Sequence, residues 1–115
     1  MEKNMIIATI RMMIPPQKYD EAVKILRSVV ETCRDTSACL GCHFYEDLQE
    51  NGVLMLMEVW NSEEDLTLHL RSDEYLNLLL VLEMAVKKPE VRFDTISRSM
   101  SIEAIEKARA QPGRI

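Results

Sequence analysis

Glu58, Trp60 and His69 are the side chains of this sequence best suited to chemistry, and one short stretch holds all three. An alternating apolar run ends in Glu58-Val59-Trp60, turns polar at Asn61-Ser62 and continues with helical periodicity through His69 to Tyr75. Leu56, Glu58 and Trp60 are spaced by two, so on a strand their side chains share one face. A carboxylate that ends an apolar run is costly to bury unless it is paired. Desolvation would raise its pKa toward the range of a general base. The alternative is a structural salt bridge, with Arg11, Arg92 or Arg98 of a second copy as partner. Trp60, the only Trp, offers an indole wall on which a planar ligand could stack. It is equally suited to be the largest residue of the core. His69 can carry a proton near neutral pH, or can bond a backbone group and fix the turn between two helices.

The elements that must position these residues are legible in outline. Residues 5–14 form an apolar run with β-branched members, as a buried strand requires. Pro15-Pro16 stops it and opens a helix over residues 17–33. Tyr19, Ala22, Val23, Leu26, Val29, Val30 and Cys33 make one stripe of that helix. Residues 39–48 and 53–60 read as strands, and Asn51-Gly52 between them signals a tight primed turn. Residues 53–60 are apolar on both faces. Ser62 with Asp65 resembles a capping box, so a short helix should run from there to about residue 70. Ser72 is placed to cap a second, over residues 73–87. The cluster Leu76, Leu78, Leu79, Leu80 and Leu82 predicts deep packing for it, and Pro89 its end. Residues 90–100 read as a last strand. Ser101 opens a tail helix over residues 101–110, with Ile102, Ile105 and Ala108 on one side, closed by Pro112-Gly113.

This order is that of a split βαβ, ferredoxin-like α+β fold with a four-stranded antiparallel sheet. Residues 1–100 form that domain and residues 101–115 a helical tail. Helices cover one sheet face. The other face is also apolar, and the chain has no further layer to cover it, which points to a homodimer through the sheet face.

Composition narrows the class. The chain has 115 residues, enough for one domain with a modest core. A net charge of -5 and only 5% aromatic residues argue against nucleic acid as a partner. No run is long enough for a membrane span, and Met1-Glu2-Lys3-Asn4 leads into a strand without signal-peptide character, so a cytoplasmic location is expected. Three Cys do not make a disulfide framework. Cys39-Leu40-Gly41-Cys42 formally reads C-x-x-C, but residues three apart on an extended segment point to opposite faces. Ordinary buried thiols are expected. With His43 and one Cys pair, a zinc site lacks a second half, so neither a metal nor another cofactor is expected. The eight Met, including Met5, Met13, Met55 and Met57, suit an adaptable core or a soft wall for apolar ligands.

The pattern Glu58-x-Trp60-x-Ser62, followed by Leu66, His69, Ser72 and Tyr75, resembles the antibiotic biosynthesis monooxygenase (ABM) family of dimeric α+β barrels. Cys39-Leu40-Gly41 with Phe44-Tyr45 resembles a second motif of that family, with Ala38 where a Gly is usual. The similarity extends over residues 5–100. It implies a dimer whose two sheets face each other and enclose a pocket in each half. Some members oxygenate polycyclic phenols or quinols with O2 and no metal or flavin. Related barrels bind or degrade haem, or have no known activity. Where active relatives carry an amide or phenol near the Trp, this chain has Leu56 and Leu66. Where haem-degrading relatives carry an Asn in the first strand, it has Thr9-Ile10-Arg11.

The resemblance therefore implies a cofactor-independent monooxygenase acting on an apolar aromatic molecule. Glu58 or His69 would be the base, and Trp60 and Leu56 the wall. Arg11 would stabilise an anion if it faces inward, and Tyr45 would contribute if it, rather than Phe44, faces the pocket. The alternatives are a haem-binding barrel with His69 as axial ligand and a non-enzymatic ligand-binding dimeric module.

Overall fold

The computed structural model describes residues 4–110. The elements are β1 (Met5–Met13), α1 (Tyr19–Arg34), β2 (Cys39–Glu46), β3 (Val53–Trp60), α2 (Glu63–Arg71), α3 (Tyr75–Met84), β4 (Glu90–Ile96) and α4 (Glu103–Ala110). A single 3-10 turn, Pro16–Lys18, leads into α1. The four strands pair in the order β2-β3-β1-β4, every neighbour antiparallel. This is the ferredoxin-like α+β arrangement that the element order predicts.

Strand alternation divides the residues between two environments. On β1, Ile6, Ala8, Ile10 and Met12 are buried, while Ile7, Thr9, Arg11 and Met13 look the other way and are half-buried. On β3, Leu54, Leu56, Glu58 and Trp60 are buried, opposite Met55, Met57 and Val59. The buried set packs against Ala22, Leu26, Val29, Val30 and Cys33, the stripe of α1, and against Leu66, Leu78 and Val81 of α2 and α3. Each such aliphatic side chain contributes about 1.5–3 kcal/mol when fully removed from water, so this stripe holds α1 to the sheet. Among the described residues, no element covers the opposite face.

Several elements depart from the sequence reading. The β2–β3 connection is not a two-residue primed turn, because a type I′ turn needs positive φ at both centres and only Gly52 (φ 81°) has it. Residues 47–52 instead form a longer loop, closed by Asp47 N–H to the Val53 carbonyl and by Ile14 N–H to the Gly52 carbonyl. Ser72 does not cap α3. Its hydroxyl donates back to the His69 carbonyl at 2.7 Å, closing α2. α3 begins at Tyr75 and ends at Met84, where Val86 N–H leaves to bond the Met13 carbonyl. α3 is not deeply packed: Leu78 and Val81 are buried, but Leu76, Leu79 and Leu80 are 58%, 41% and 51% exposed. With a single helical layer, only one side of α3 has anything to pack on. β4 stops at Ile96, and α4 forms but buries none of its residues, leaving Ile102 and Ile105 on the surface. Pro112-Gly113 lies outside the described residues.

β2 carries the most consequential departure. Its register shifts between Cys39, opposite Trp60, and Gly41, opposite Val59. The irregularity at Leu40 gives one strand an extra residue. Cys39 and Cys42, three apart, therefore both face the helices, where a regular strand would have turned them to opposite sides.

Gly52 is the tightest point of the loop. A Cβ there would lie 2.8 Å from the Ile14 carbonyl oxygen, on a backbone already in the left-handed region. Gly52→Ala is expected to cost about 1–3 kcal/mol, read as a lower urea midpoint at unchanged slope; an unchanged midpoint would show that the loop relaxes freely.

Candidate functional site

The site gathers around Glu58, near the end of β3. The side chain points under the helices and is 3% exposed. Its carboxylate is saturated by donors from three elements. Oε1 accepts from Trp60 Nε1–H at 3.2 Å. Oε2 lies 3.2 Å from His69 Nε2 on α2 and accepts from the Cys33 thiol on α1 at 3.6 Å. The salt-bridge partners expected for Glu58 are thus replaced by His69. An apolar strand ending in a carboxylate is tolerated because α1 and α2 bring partners to Oε2 and the strand's own Trp60 donates to Oε1.

Local chemistry fixes where His69 lands. Ser62 Oγ accepts from Asp65 N–H and donates to the Asp65 carboxylate, which sets the first turn of α2. The Ser72 hydroxyl closes the last turn on the carbonyl of His69 itself. The imidazole stacks on Trp60, with centroids 4.3 Å apart and planes at 28°, and meets Tyr75 edge-on at 5.2 Å. Its Nε2 faces Glu58. Its Nδ1 makes no hydrogen bond among the described residues and is not fully buried. His69, Trp60, Tyr75 and Cys33 border a cleft of about 210 Å3 between α1, α2 and α3. Burial, and then the charge of Glu58, pushes the Tyr75 phenol up to about 12, so it enters the cleft as a neutral hydrogen-bonding group.

The residues singled out from the sequence do not all converge. Glu58, Trp60 and His69 form one cluster. Leu56 shares their strand face but is wholly buried and does not border the cleft. Arg11 and Tyr45 are on the opposite face of the sheet, beside Met55 in the register. Arg11 bonds Glu50 and Asp47 and approaches Glu90, so it does not face Glu58. Trp60 is 1% exposed, and the face it offers for stacking is taken by His69. The chemistry-bearing face therefore lies under the helices of its own chain, not between two sheets.

Cys33 is the residue that sequence reasoning missed. It appeared only as the last member of the α1 stripe, and its one signal was a thiol ending a series that is aliphatic from Ala22 to Val30. Its thiol is pushed well up by the hydrogen bond with Cys42, then by burial and the charge of Glu58. The donor atoms of Cys33, Cys42 and Glu58 all lie within 4.8 Å of one another. The pair that meets is Cys33 with Cys42. Cys39 of the C-x-x-C spacing bonds the Gly41 carbonyl instead.

Residues 5–79 match the antibiotic biosynthesis monooxygenase family, and the chain belongs to that family. The match ends inside α3, so β4 and α4 lie beyond it. A conserved protein from Methanosarcina mazei Go1 shares the fold at 24% identity and TM-score 0.75, over 80% of this chain and 92% of that one. Rv0793 from Mycobacterium tuberculosis does so at 22% identity and TM-score 0.76, over 84% and 99%. An uncharacterized protein of Synechocystis sp. is 27% identical over 59 residues, which is 51% of this chain and 40% of that protein. The chain thus spans less than half the length of that curated relative.

Removing His69 leaves the Glu58 carboxylate short of a donor inside the protein. Since a hydrogen bond to a charged group is worth about 1.5–3 kcal/mol, His69→Ala should lower stability by at least that amount in urea unfolding. A loss no greater than that of a surface His43→Ala control would mean that Glu58 is not held by His69.

Proposed function

We propose that the protein is a cofactor-independent monooxygenase that oxidises an aromatic phenol or quinol with O2. Family membership supports the reaction class, and one observation carries the assignment of roles: an imidazole that borders an apolar cleft, backed by a buried carboxylate at Nε2 and with Nδ1 unbonded among the described residues. His69 Nδ1 is the proton acceptor. Glu58 is a positioning residue, fixing the ring through Nε2 and stabilising the imidazolium that forms. Trp60 and Tyr75 hold the imidazole from two sides and keep the cleft apolar.

In this mechanism His69 takes the hydroxyl proton of the substrate. The resulting anion gives one electron to O2, and the radical pair recombines to form a carbon–oxygen bond. The peroxide takes the proton back from His69. Loss of the carbon-bound proton with hydroxide then leaves a carbonyl and one water, so two substrate electrons reduce one oxygen atom to water and the other stays on the product. A water-poor cleft protects the anion.

The haem reading fits this geometry poorly. His69 Nε2 is engaged by Glu58, so a haem would have to be held through Nδ1, with Trp60 and Tyr75 packed against the ring on two sides. The binding-module reading predicts no turnover at all.

The proposal includes a homodimer formed through the open sheet face, in keeping with family membership and with Ile7, Met13, Met55, Met57 and Val59 half-buried on that face. It also places the protein in the cytoplasm; no helix among the described residues is long and apolar enough to cross a membrane. Light scattering at micromolar concentration should give twice the 13.3 kDa chain mass. A monomer would remove the barrel. Since α4 buries nothing on its own chain, protection of Ile105 and Ala108 from hydrogen exchange is expected only in the dimer. Exchange at unfolded-peptide rates in the dimer would show that α4 docks on neither copy.

The enzymatic test is O2 uptake by the purified protein with a panel of quinols and anthrols. Removing the proton acceptor should lower kcat by about 10²–10⁴-fold, so His69→Gln is expected to be severely impaired. Glu58→Gln keeps the shape and should show a smaller loss with a shifted pH profile. Absence of uptake with every substrate would leave the binding-module reading in place.

A further inference from the structure

Cys33, Cys42 and Glu58 form a group of three metal-ligating side chains, of which the proton chemistry above uses only Glu58. They come from three consecutive elements, α1, β2 and β3, and all three are buried. We propose that these three residues bind a thiolate-preferring divalent cation, zinc above all.

The spacing fits such an ion. With zinc–sulfur bonds of about 2.3 Å and zinc–oxygen bonds of about 2.1 Å, a tetrahedral site separates sulfur from oxygen by about 3.6 Å. Cys33 Sγ and Glu58 Oε2 are 3.6 Å apart. Cys42 Sγ stands within 4.8 Å of both Cys33 Sγ and the Glu58 oxygen, so a small contraction completes the set.

The surroundings fit as well. Trp60 Nε1–H holds Glu58 Oε1 and leaves Oε2 for the ion, the outer hydrogen bond that ordinarily orients a ligating carboxylate. Cys33 and His69 both border the cleft, which gives the ion a way in. The charge also balances. Without the ion, two neutral thiols and one carboxylate carry a single negative charge. Binding releases both thiol protons, and two thiolates and a carboxylate around a divalent cation again carry a single negative charge. Loading therefore adds no net charge to the interior. Two thiolates and one carboxylate select zinc or cobalt over magnesium or calcium, which take oxygen ligands.

This inference does not rest on the oxygenase reading, and its test needs no substrate. Reduced, metal-free protein is titrated with Co(II) under anaerobic conditions. One equivalent per chain should produce thiolate-to-cobalt charge-transfer bands in the near ultraviolet and tetrahedral bands in the visible, and one equivalent of Zn(II) should remove both. Cys33→Ser and Cys42→Ser should each abolish the charge-transfer intensity or halve it, while Cys39→Ser leaves it unchanged. Trp60→Phe, which frees Glu58 Oε1, should weaken Zn(II) binding by about 10–100-fold. Far-ultraviolet circular dichroism establishes that each variant is folded, and the wild-type titration stands whether or not one of them is. A wild-type protein without charge-transfer bands would overturn the proposal. So would bands that persist in the double variant Cys33→Ser/Cys42→Ser, or bands lost in Cys39→Ser.

Discussion

A carboxylate removed from water must have its oxygens filled by donors, and at Glu58 that requirement organises the structure around it. The donors come from α1, α2 and the strand itself. Each can reach only if its element sits at one height and one rotation on the sheet. The aliphatic stripe of α1 supplies most of the adhesion, but adhesion of that kind is non-directional. The polar contacts to Glu58 specify where the helices stop. They also explain the two serines that bracket α2: Ser62 fixes where the helix starts and Ser72 where it ends, so that His69 falls over Trp60 with one ring nitrogen committed and the other free.

Sequence periodicity was sufficient to read the fold, because burial in a two-layer domain imposes a period of two on strands and a stripe on helices. It also grouped Glu58 with Trp60 correctly, since spacing by two on a strand leaves no choice of face. What it missed depends on backbone details that side-chain periodicity does not encode. The extra residue at Leu40 inverted the expected relation between Cys39 and Cys42. A serine hydroxyl between two helices can close the first or cap the second, and residue type alone does not say which Ser72 does. Cys33 met Glu58 only through the docking of α1, a long-range contact with no local signature. The leucines of α3 were read as core because they are leucines, whereas a helix in an outer layer buries only the side that has a neighbour. Arg11 and Tyr45 were grouped with the site through the resemblance, and the strand register separates them from it.

The family places the chain among proteins associated with oxygenation, yet fold alone does not assign chemistry. The local arrangement is more informative. The imidazole is stacked on Trp60, met edge-on by Tyr75 and backed by a buried charge, all within one chain. The same oxygen of Glu58 faces both the His69 ring and the Cys33 thiol, so this position can serve a proton or a cation, and occupation by one alters what the other can do. Every contact in the cluster is made by the helix side of the sheet, which leaves the opposite face to serve a separate purpose.

That opposite face is not uniformly apolar. Arg11, on the central strand, gathers Asp47, Glu50 and Glu90 from the β2–β3 loop and β4. One positive and three negative groups leave this corner with an excess of negative charge. A two-fold axis passing through it would bring the corner against its own image, and like charges facing each other across an interface oppose association. The dyad of any pairing through this sheet is therefore pushed away from Arg11, toward the end where Ile7 lies beside Val59 and Thr9 beside Met57. In a pairing through this face, a single arginine with its carboxylates would thus act as a spacer, choosing which of the geometrically available rotations two copies of the sheet can adopt.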